Sequence, residues 1–203
     1  MTTEIWDFWA KRYNKLWVQK YSLRPTREYL LKLNLQGSNI KILDLGCGPG
    51  QLIEELHKKD QSYRITGVDF SEKMLKLSKE KNPKASHIKM DVIDLNKIDE
   101  KFNIIFCTHS MPYYKEPQKL IEDLSYLLLD NGRAYLAFAS GNTIYDKFVL
   151  GFVKLTTGRA YYPSDTEFKE LIDPYFIVED LKIIKERSFM PRIAIYTLKK
   201  VKT

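Results

Sequence analysis

Residues 42–50 read ILDLGCGPG, a short apolar run that ends in three glycines at alternate positions. The apolar residues around Asp44 are typical of a strand that is buried on both faces of a sheet. Glycine in ordered structure costs conformational entropy, so three glycines within five residues indicate a tight turn or the close approach of a ligand. The stretch therefore predicts a buried strand followed by a loop of unusual backbone geometry.

Apolar periodicity on either side of this loop predicts alternating strands and helices. Strands are predicted at 39–45, 63–70, 87–92, 102–109 and 133–140. One helix is predicted at 51–59, and a second begins after the N-cap Ser71 and stops at Asn82-Pro83. A third is predicted at 116–132 and closes with a turn at Asn131-Gly132. Residues 176–187 and 192–200 have no helix between them and predict an antiparallel hairpin at the sheet edge. The pattern is that of an α/β fold with a doubly wound, mostly parallel sheet and helices on both faces.

Length and composition favour one domain over residues 1–203, with 44% apolar and 29% charged residues. No apolar run approaches the length of about 18 residues that a membrane helix needs, and the N-terminus does not resemble a secretory signal. The two cysteines, Cys47 and Cys107, form no disulfide framework and fit a reducing cytoplasm. Neither they nor the three scattered histidines match a metal site.

The charge is uneven along the chain. The net charge is +7, and residues 1–41 hold eight Lys/Arg against three acidic residues. Such a basic arm can meet nucleic acid, an anionic membrane surface or an acidic small molecule, or it can be a solvated helix face. No aromatic-basic RNA-binding module accompanies the charge, which favours the solvated face.

Ligands of open parallel sheets bind at the carboxyl ends of the strands. Asp69 ends the second predicted strand, 19 residues after Gly50, and its carboxylate can accept hydrogen bonds from a ribose diol. Asp91 ends the third strand and can accept from the exocyclic amine of adenine. Each can instead be a strand-end turn or a helix cap. A dinucleotide fingerprint needs glycine where Gln51 stands, so a pyrophosphate ligand such as NAD is disfavoured.

The segments DLGCGPG, VDFS, MDV and FNIIFCTHSMPYY resemble motifs of the class I S-adenosylmethionine-dependent methyltransferases, and the likeness covers residues 1–140. The resemblance implies a seven-stranded Rossmann-like sheet whose last strand is antiparallel, S-adenosylmethionine as cofactor and S-adenosylhomocysteine as product, without a metal. It implies cofactor contacts for Tyr13, Asp44, Gly46, Cys47, Gly48, Gly50, Asp69, Phe70, Met74, Asp91, Val92, Thr108 and His109.

The N-terminal stretch 1–36 is predicted to be helical, because Trp6, Trp9, Tyr13 and Trp17 recur on one helix face. This face either packs on the sheet or forms a lid over cofactor and substrate. Residues 141–175, between the fifth strand and the hairpin, are predicted to cover the substrate, with Ser164 and Glu167 as a capping box. The same segment can be a packing element or a dimer surface. Trp6, Tyr161, Tyr162 and Arg192 are the candidate substrate contacts.

Methyl transfer from a sulfonium is an in-line displacement, so the protein contributes mainly positioning and the exclusion of water. Where the acceptor must lose a proton, His109 is the first candidate base and Tyr113 the second, although His109 can also be a hydrogen-bonded loop residue. The sequence predicts a cytoplasmic methyltransferase that acts on a small molecule as a monomer or homodimer. The alternatives are an RNA methyltransferase that uses the basic arm, an NAD-binding oxidoreductase and a nucleotide-binding protein without chemistry.

Overall fold

The computed structural model describes residues 19–35, 37, 39–157, 160–187 and 190–201. Its helices are α1 (Arg24–Leu31), α2 (Gln51–Lys59), α3 (Glu72–Lys81), α4 (Pro117–Leu127), α5 (Ile144–Thr157) and α6 (Asp165–Ile172). Its strands are β1 (Lys41–Leu45), β2 (Arg64–Asp69), β3 (Ser86–Lys89), β4 (Phe102–Thr108), β5 (Leu128–Ala139), β6 (Phe176–Ile184) and β7 (Ile193–Lys200). A π-helical turn, Gln19–Leu23, leads into α1, and 3₁₀ turns follow β3 and β4 at Val92–Lys97 and Met111–Tyr113.

The strands of the described residues form one seven-stranded sheet in the order β3-β2-β1-β4-β5-β7-β6. Neighbours from β3 through β5 pair in parallel, and β7 is antiparallel to both β5 and β6. The prediction of a doubly wound sheet with an antiparallel last strand is confirmed. The two terminal strands do pair as predicted, but only β6 lies at the edge, because β7 is inserted between β6 and β5.

Alternation along the strands divides the core between the two faces of the sheet. Leu43 and Leu45 of β1 belong to one buried cluster, which α4 and α6 cover, while Ile42 belongs to a second cluster with residues of α1, α2 and α3. Because successive strand residues point to opposite faces, a strand buried on both sides is apolar at nearly every position. Phe106 of β4 and Leu136 of β5 are likewise apolar strand residues and are fully buried.

Two predicted helix starts are confirmed by their side-chain caps. Ser71 accepts a hydrogen bond from the Met74 amide at the start of α3. Ser164 and Glu167 form the predicted reciprocal capping box of α6. The helical insertion between β5 and β6 is therefore present as two helices, α5 and α6.

Several predicted boundaries differ from the structure. The strand expected at 87–92 is β3, which ends at Lys89, so Asp91 follows this strand instead of ending it. The helix expected to run to Asn131-Gly132 ends at Leu127, and β5 begins at Leu128, so the Asn-Gly pair lies within the strand. The pairing of β4 with β5 shifts register between Phe102 and Ile104. A Cβ on Gly132 would approach the Asn103 carbonyl oxygen to 2.7 Å, so this glycine serves a close backbone contact rather than a helix end.

Candidate active site

The glycine loop after β1 is held against the end of β2. The amides of Gly46 and Cys47 donate to the Val68 carbonyl oxygen at 2.8 and 3.0 Å. Gly46 and Gly48 have φ angles of 72° and 52°, in the left-handed region that favours glycine. A Cβ on Gly46 would lie 2.5 Å from the Ser110 Cβ, whereas a Cβ on Gly48 would meet no atom within 4 Å. Packing therefore requires a glycine at 46, and the space beside Gly48 is open.

That open space is a cleft at the carboxyl ends of β1, β2 and β4. It encloses about 1090 Å³ between atoms, counting its open mouth. The structure places ten of the residues predicted from the sequence on its walls: Gly46, Gly48, Asp69, Phe70, Met74, Asp91, Val92, Thr108, His109 and Tyr113.

Asp69 is oriented on the cleft wall by two backbone donors. Its Oδ2 accepts from the Gly48 amide and its Oδ1 from the Ser71 amide, both at 2.9 Å. The carboxylate thus ties the glycine loop to the start of α3. Asp91 also lines the cleft, and it is the N-cap of the following 3₁₀ turn, as the alternative interpretation of the sequence predicted. Its cap contact to the Ile93 amide is long, at 3.4 Å.

One buried carboxylate oxygen beside the glycine loop has no hydrogen-bond partner among the described residues. It is Oδ1 of Asp44, on a residue that is 1% exposed and that directly precedes the cleft-lining residues Leu45 and Gly46. Burial and the nearby negative charge of Asp69 raise the pKa of Asp44 to about 7, although the positive charge of Arg27 acts in the opposite direction. Buried polar groups without partners are rare, so Oδ1 of Asp44 indicates a place where a ligand supplies the missing contact.

His109 stands at the end of β4 in a conformation that is rare for a side-chain-bearing residue. Its φ is 59°, and its amide donates to the Ala137 carbonyl oxygen at 2.6 Å. Its Nε2 lies 2.9 Å from the Thr26 hydroxyl, which itself donates to the Ser22 carbonyl oxygen. The Thr26 oxygen therefore accepts from Nε2–H, and Nδ1 is the acceptor nitrogen of the ring.

Burial and the charge of Arg27 lower the pKa of His109 to about 4. The imidazole is neutral around pH 7, and it is a weak proton acceptor compared with an ordinary histidine. The structure thus favours hydrogen bonding by His109 over strong general-base catalysis.

Arg27 of α1 is a buried cation near the site that the sequence did not reveal. The residue is 9% exposed, and its Nε donates to both carboxylate oxygens of Glu55 at 3.2 and 3.0 Å. Its Nη1 donates to Gln19 and to Gln51, the residue that begins α2. The guanidinium is thus held close enough to influence the titration of both Asp44 and His109. In the sequence it is one cation among many in a basic segment, and only its burial distinguishes it.

Several predicted site residues, Asp44 among them, do not line the cleft. Cys47 packs with Ile53 in the core beneath α2. A Cβ on Gly50 would lie 2.2 Å from the Ser78 Oγ, so Gly50 serves the contact between the loop and α3. Arg192 pairs with Asp165 at 2.8 Å and is not a free anion receptor.

Residues 160–162 join the insertion to the 3₁₀ turn after β4. The Tyr161 amide donates to the Pro112 carbonyl oxygen at 2.7 Å, and its ring is 43% exposed. The Tyr162 hydroxyl lies 3.3 Å from that of Tyr113, which lines the cleft. Tyr162 is therefore beside the mouth of the cleft. Trp6 and Tyr13 lie outside the described residues.

Within the described ranges, no group of three or more His, Cys, Asp or Glu side chains could hold a metal ion. No helix in the same part of the chain is long and apolar enough to cross a bilayer. The predicted absence of a metal stays a prediction.

Residues 42–132 match the family model described as a methyltransferase domain. Ubiquinone biosynthesis O-methyltransferase of Coxiella burnetii is 28% identical over 124 residues, which cover 59% of this chain and 52% of that protein. Trans-aconitate 2-methyltransferase of Escherichia coli is 31% identical over 110 residues, covering 54% of this chain and 42% of that protein. The chain thus matches about half the length of these curated relatives.

Similar solved structures cover nearly all of the chain at low sequence identity. One is a Haloferax volcanii complex of a methyltransferase with the Trm112 methyltransferase activator, with a TM-score of 0.84 and 15% identity over 100% of this chain and 99% of that chain. Another is the N-methyltransferase NodS of Bradyrhizobium japonicum with S-adenosylhomocysteine, with a TM-score of 0.71 and 14% identity over 91% of each chain. At this identity the likeness shows a shared fold.

Proposed function

We propose that the chain is a class I S-adenosylmethionine-dependent methyltransferase and that it methylates a small molecule held at the mouth of the cleft. The observation that carries this proposal is the convergence of Asp69, Asp91 and the open side of Gly48 on one cleft. These groups come from the ends of neighbouring strands, where ligands of parallel sheets bind.

The chemistry of the walls fits the cofactor of the family. Asp69 is an acceptor for the ribose hydroxyls, and Asp91 is an acceptor for the adenine amine. Phe70 and Met74 supply apolar surface between them. Beside the glycine loop, Oδ1 of Asp44, which has no partner among the described residues, is an acceptor for the ammonium group of the methionine part.

When bound, the sulfonium cofactor supplies an activated methyl group. The residues of the chain then act by position, because the displacement requires the acceptor atom in line with the bond that breaks. The Nδ1 atom of His109 can accept a hydrogen bond from a hydroxyl or amine of the substrate that receives the methyl group, without removing its proton. Tyr113 and Tyr162 border the side from which the acceptor enters.

A small acceptor is favoured over the alternatives by specific features. The relatives named above carry ubiquinone biosynthesis and trans-aconitate in their names. Gln51 stands where the dinucleotide fingerprint has glycine, and its side chain is occupied by Arg27. Arg27 itself, a member of the basic N-terminal segment, is buried rather than presented to RNA.

The test is calorimetric titration of S-adenosylhomocysteine, with NAD as the comparison ligand. We expect micromolar binding of the thioether nucleoside, its loss in Asp69→Asn, and unchanged binding in Asp99→Asn, whose carboxylate is exposed and outside the cleft. Thermal unfolding of each variant separates loss of the ligand from loss of the fold. Preferential binding of NAD, or no binding by folded wild-type protein, would overturn the proposal.

Transfer of radiolabelled methyl groups then identifies the class of acceptor. Small aromatic and carboxylic compounds are compared with total RNA as acceptors, and incorporation into RNA alone would contradict a small-molecule role. Static light scattering tests the prediction of a monomer or homodimer, and it would also reveal a complex with an added activator protein.

A further inference from the structure

The glycine loop, residues 46–50, is held at both of its ends. At its start, the amides of Gly46 and Cys47 donate to β2. At its end, the Gly50 carbonyl oxygen accepts the first helical hydrogen bond of α2 and also accepts from Nδ2 of Asn82 at 3.0 Å. Asn82 directly follows α3, is 4% exposed and does not line the cleft. A buried side chain outside the cleft therefore holds the far end of the loop.

The Asn82 side chain is fixed independently of the loop. Its backbone amide donates to the Ser78 carbonyl oxygen at 2.8 Å, and its own carbonyl oxygen accepts from the Ala85 amide at 3.1 Å. Its Nδ2 also donates to the Ser78 carbonyl oxygen, at 3.1 Å. Because a buried donor without a partner is costly, a donor held in this orientation favours the loop conformation that brings the Gly50 carbonyl oxygen to it.

Ser78 supplies a second contact behind the loop. It is fully buried, and its Oγ lies 2.2 Å from the position that a Cβ on Gly50 would take. The Nδ1 atom of His87 lies 3.1 Å from the Ala85 carbonyl oxygen, which can only accept, so Nδ1 carries the hydrogen. The Nε2 atom of His87 therefore accepts from the Ser78 hydroxyl, at 2.8 Å. These hydrogen bonds hold the surroundings of Gly50 in one arrangement.

We propose that Asn82 is a positioning residue of the cofactor site, which acts through the Gly50 carbonyl oxygen. It holds the glycine loop in the conformation that receives the amino-acid part of S-adenosylmethionine. The inference rests on the proposed function, which places this part of the cofactor beside the loop and against Asp44. Gly48 lines the cleft two residues before Gly50, so a displaced Gly50 peptide would also displace the wall of the cleft.

A role confined to the end of α3 predicts a different result. Loss of the Asn82 side chain would then lower stability and leave ligand affinity unchanged. Asn103 provides the matched control, because its Oδ1 accepts from the Lys41 amide at 2.9 Å and so holds the amino end of β1, opposite the glycine loop. Both asparagines bond to backbone groups, but only Asn82 bonds to the loop.

The test is calorimetric titration of Asn82→Ala and Asn103→Ala with S-adenosylhomocysteine and with 5′-methylthioadenosine. The second ligand has the adenine, ribose and thioether of the first but lacks the amino-acid part. Asn82→Ala should bind S-adenosylhomocysteine about five- to tenfold more weakly, through loss of one hydrogen bond, and 5′-methylthioadenosine within about twofold of the wild type. Asn103→Ala should bind both ligands as the wild type does. Thermal unfolding measures the stability that each variant loses.

A measurement on the wild-type protein needs no variant and decides the question if Asn82→Ala does not fold. The side-chain amide NMR signal of Asn82 should shift when S-adenosylhomocysteine is added and keep its position with 5′-methylthioadenosine, although Asn82 lies outside the cleft. A signal that ignores S-adenosylhomocysteine would overturn the inference.

Three results of the titrations would also overturn it. Asn82→Ala could lose stability without losing affinity, it could lose affinity for both ligands equally, or Asn103→Ala could weaken S-adenosylhomocysteine as much. These outcomes leave the proposed function intact, because the wild-type protein still binds S-adenosylhomocysteine. A wild-type protein that binds neither ligand would overturn the proposed function and this inference with it.

Discussion

Asp44 offers a direct test of how the cofactor is held. Its carboxylate is almost fully buried, Oδ1 has no partner among the described residues, and its pKa is raised to about 7. An ammonium group placed against this oxygen favours the ionised form and returns the pKa to its ordinary value or below it. Ligand binding and ionisation of Asp44 are then linked, and the replacement Asp44→Asn removes the linkage while preserving the shape of the side chain.

The size of the effect follows from the pKa. Below pH 7 the ligand must displace a proton from Asp44, so the Kd for S-adenosylhomocysteine should rise about fiftyfold from pH 7 to pH 5, with a slope that approaches tenfold per pH unit. The ligand amine, with a pKa of about 8 or above, stays protonated throughout this interval.

The protein without ligand should show the opposite trend in stability. A folded-state pKa raised above its unfolded value contributes stability below the unfolded pKa, and that contribution is lost as the pH rises through the folded pKa. The contribution of Asp44 should therefore fall by about 4 kcal/mol between pH 4 and pH 8, and Asp44→Asn should remove this slope.

Calorimetry at several pH values measures the first effect, and urea unfolding measures the second. Repeating the titration at pH 7 in buffers of different ionisation enthalpy should reveal the release of about half a proton per ligand bound. A wild-type Kd that is flat from pH 5 to pH 7, or an Asp44→Asn variant with the slope of the wild type, would refute this account of Asp44.

Three further predictions concern the loop, the histidine and a helix cap. Gly50→Ala should lower the unfolding free energy by several kcal/mol, because the φ of Gly50 is 73° and the new Cβ would lie 2.2 Å from the Ser78 Oγ. Gly48→Ala should retain most of the stability and lose affinity for S-adenosylhomocysteine. Thermal unfolding and calorimetry compare the two variants. Thr26→Val should leave the Nε2–H of His109 unpaired, lower the unfolding free energy by about 1–3 kcal/mol and shift the ring ¹⁵N resonances. Thr26→Ser should preserve the stability and the resonances. Equal spectra for the valine variant and the wild type would contradict the assigned tautomer. Ser164→Ala should lower the unfolding free energy by about 1 kcal/mol, because the α6 capping box is lost, and should leave ligand affinity unchanged. A larger loss of stability in urea unfolding would mean that the cap does more than start the helix.

Local signals predicted most of the elements and about half of the site. Ser71 and Ser164 mark helix starts because a cap depends only on residues a few positions away. Asp69 and Asp91 could be placed at one edge of the sheet because parallel strands end on the same side. The helix end at Asn131-Gly132 was misassigned, because strand pairing with β4 outweighs the local preference for a turn.

The sequence by itself determined the order of strands and helices, the glycine loop and the acidic residues at strand ends, since these follow from periodicity and from contacts between near neighbours. Only the tertiary structure decided which groups become a site. It brings Thr26 into contact with His109, 83 positions away in the chain, and buries Arg27 of α1 against Gln51 of α2. It also buries Asp44 close to the charge of Asp69 and so raises the pKa of Asp44. Burial and electrostatic coupling depend on segments far apart in the chain, and no local pattern of residues records them.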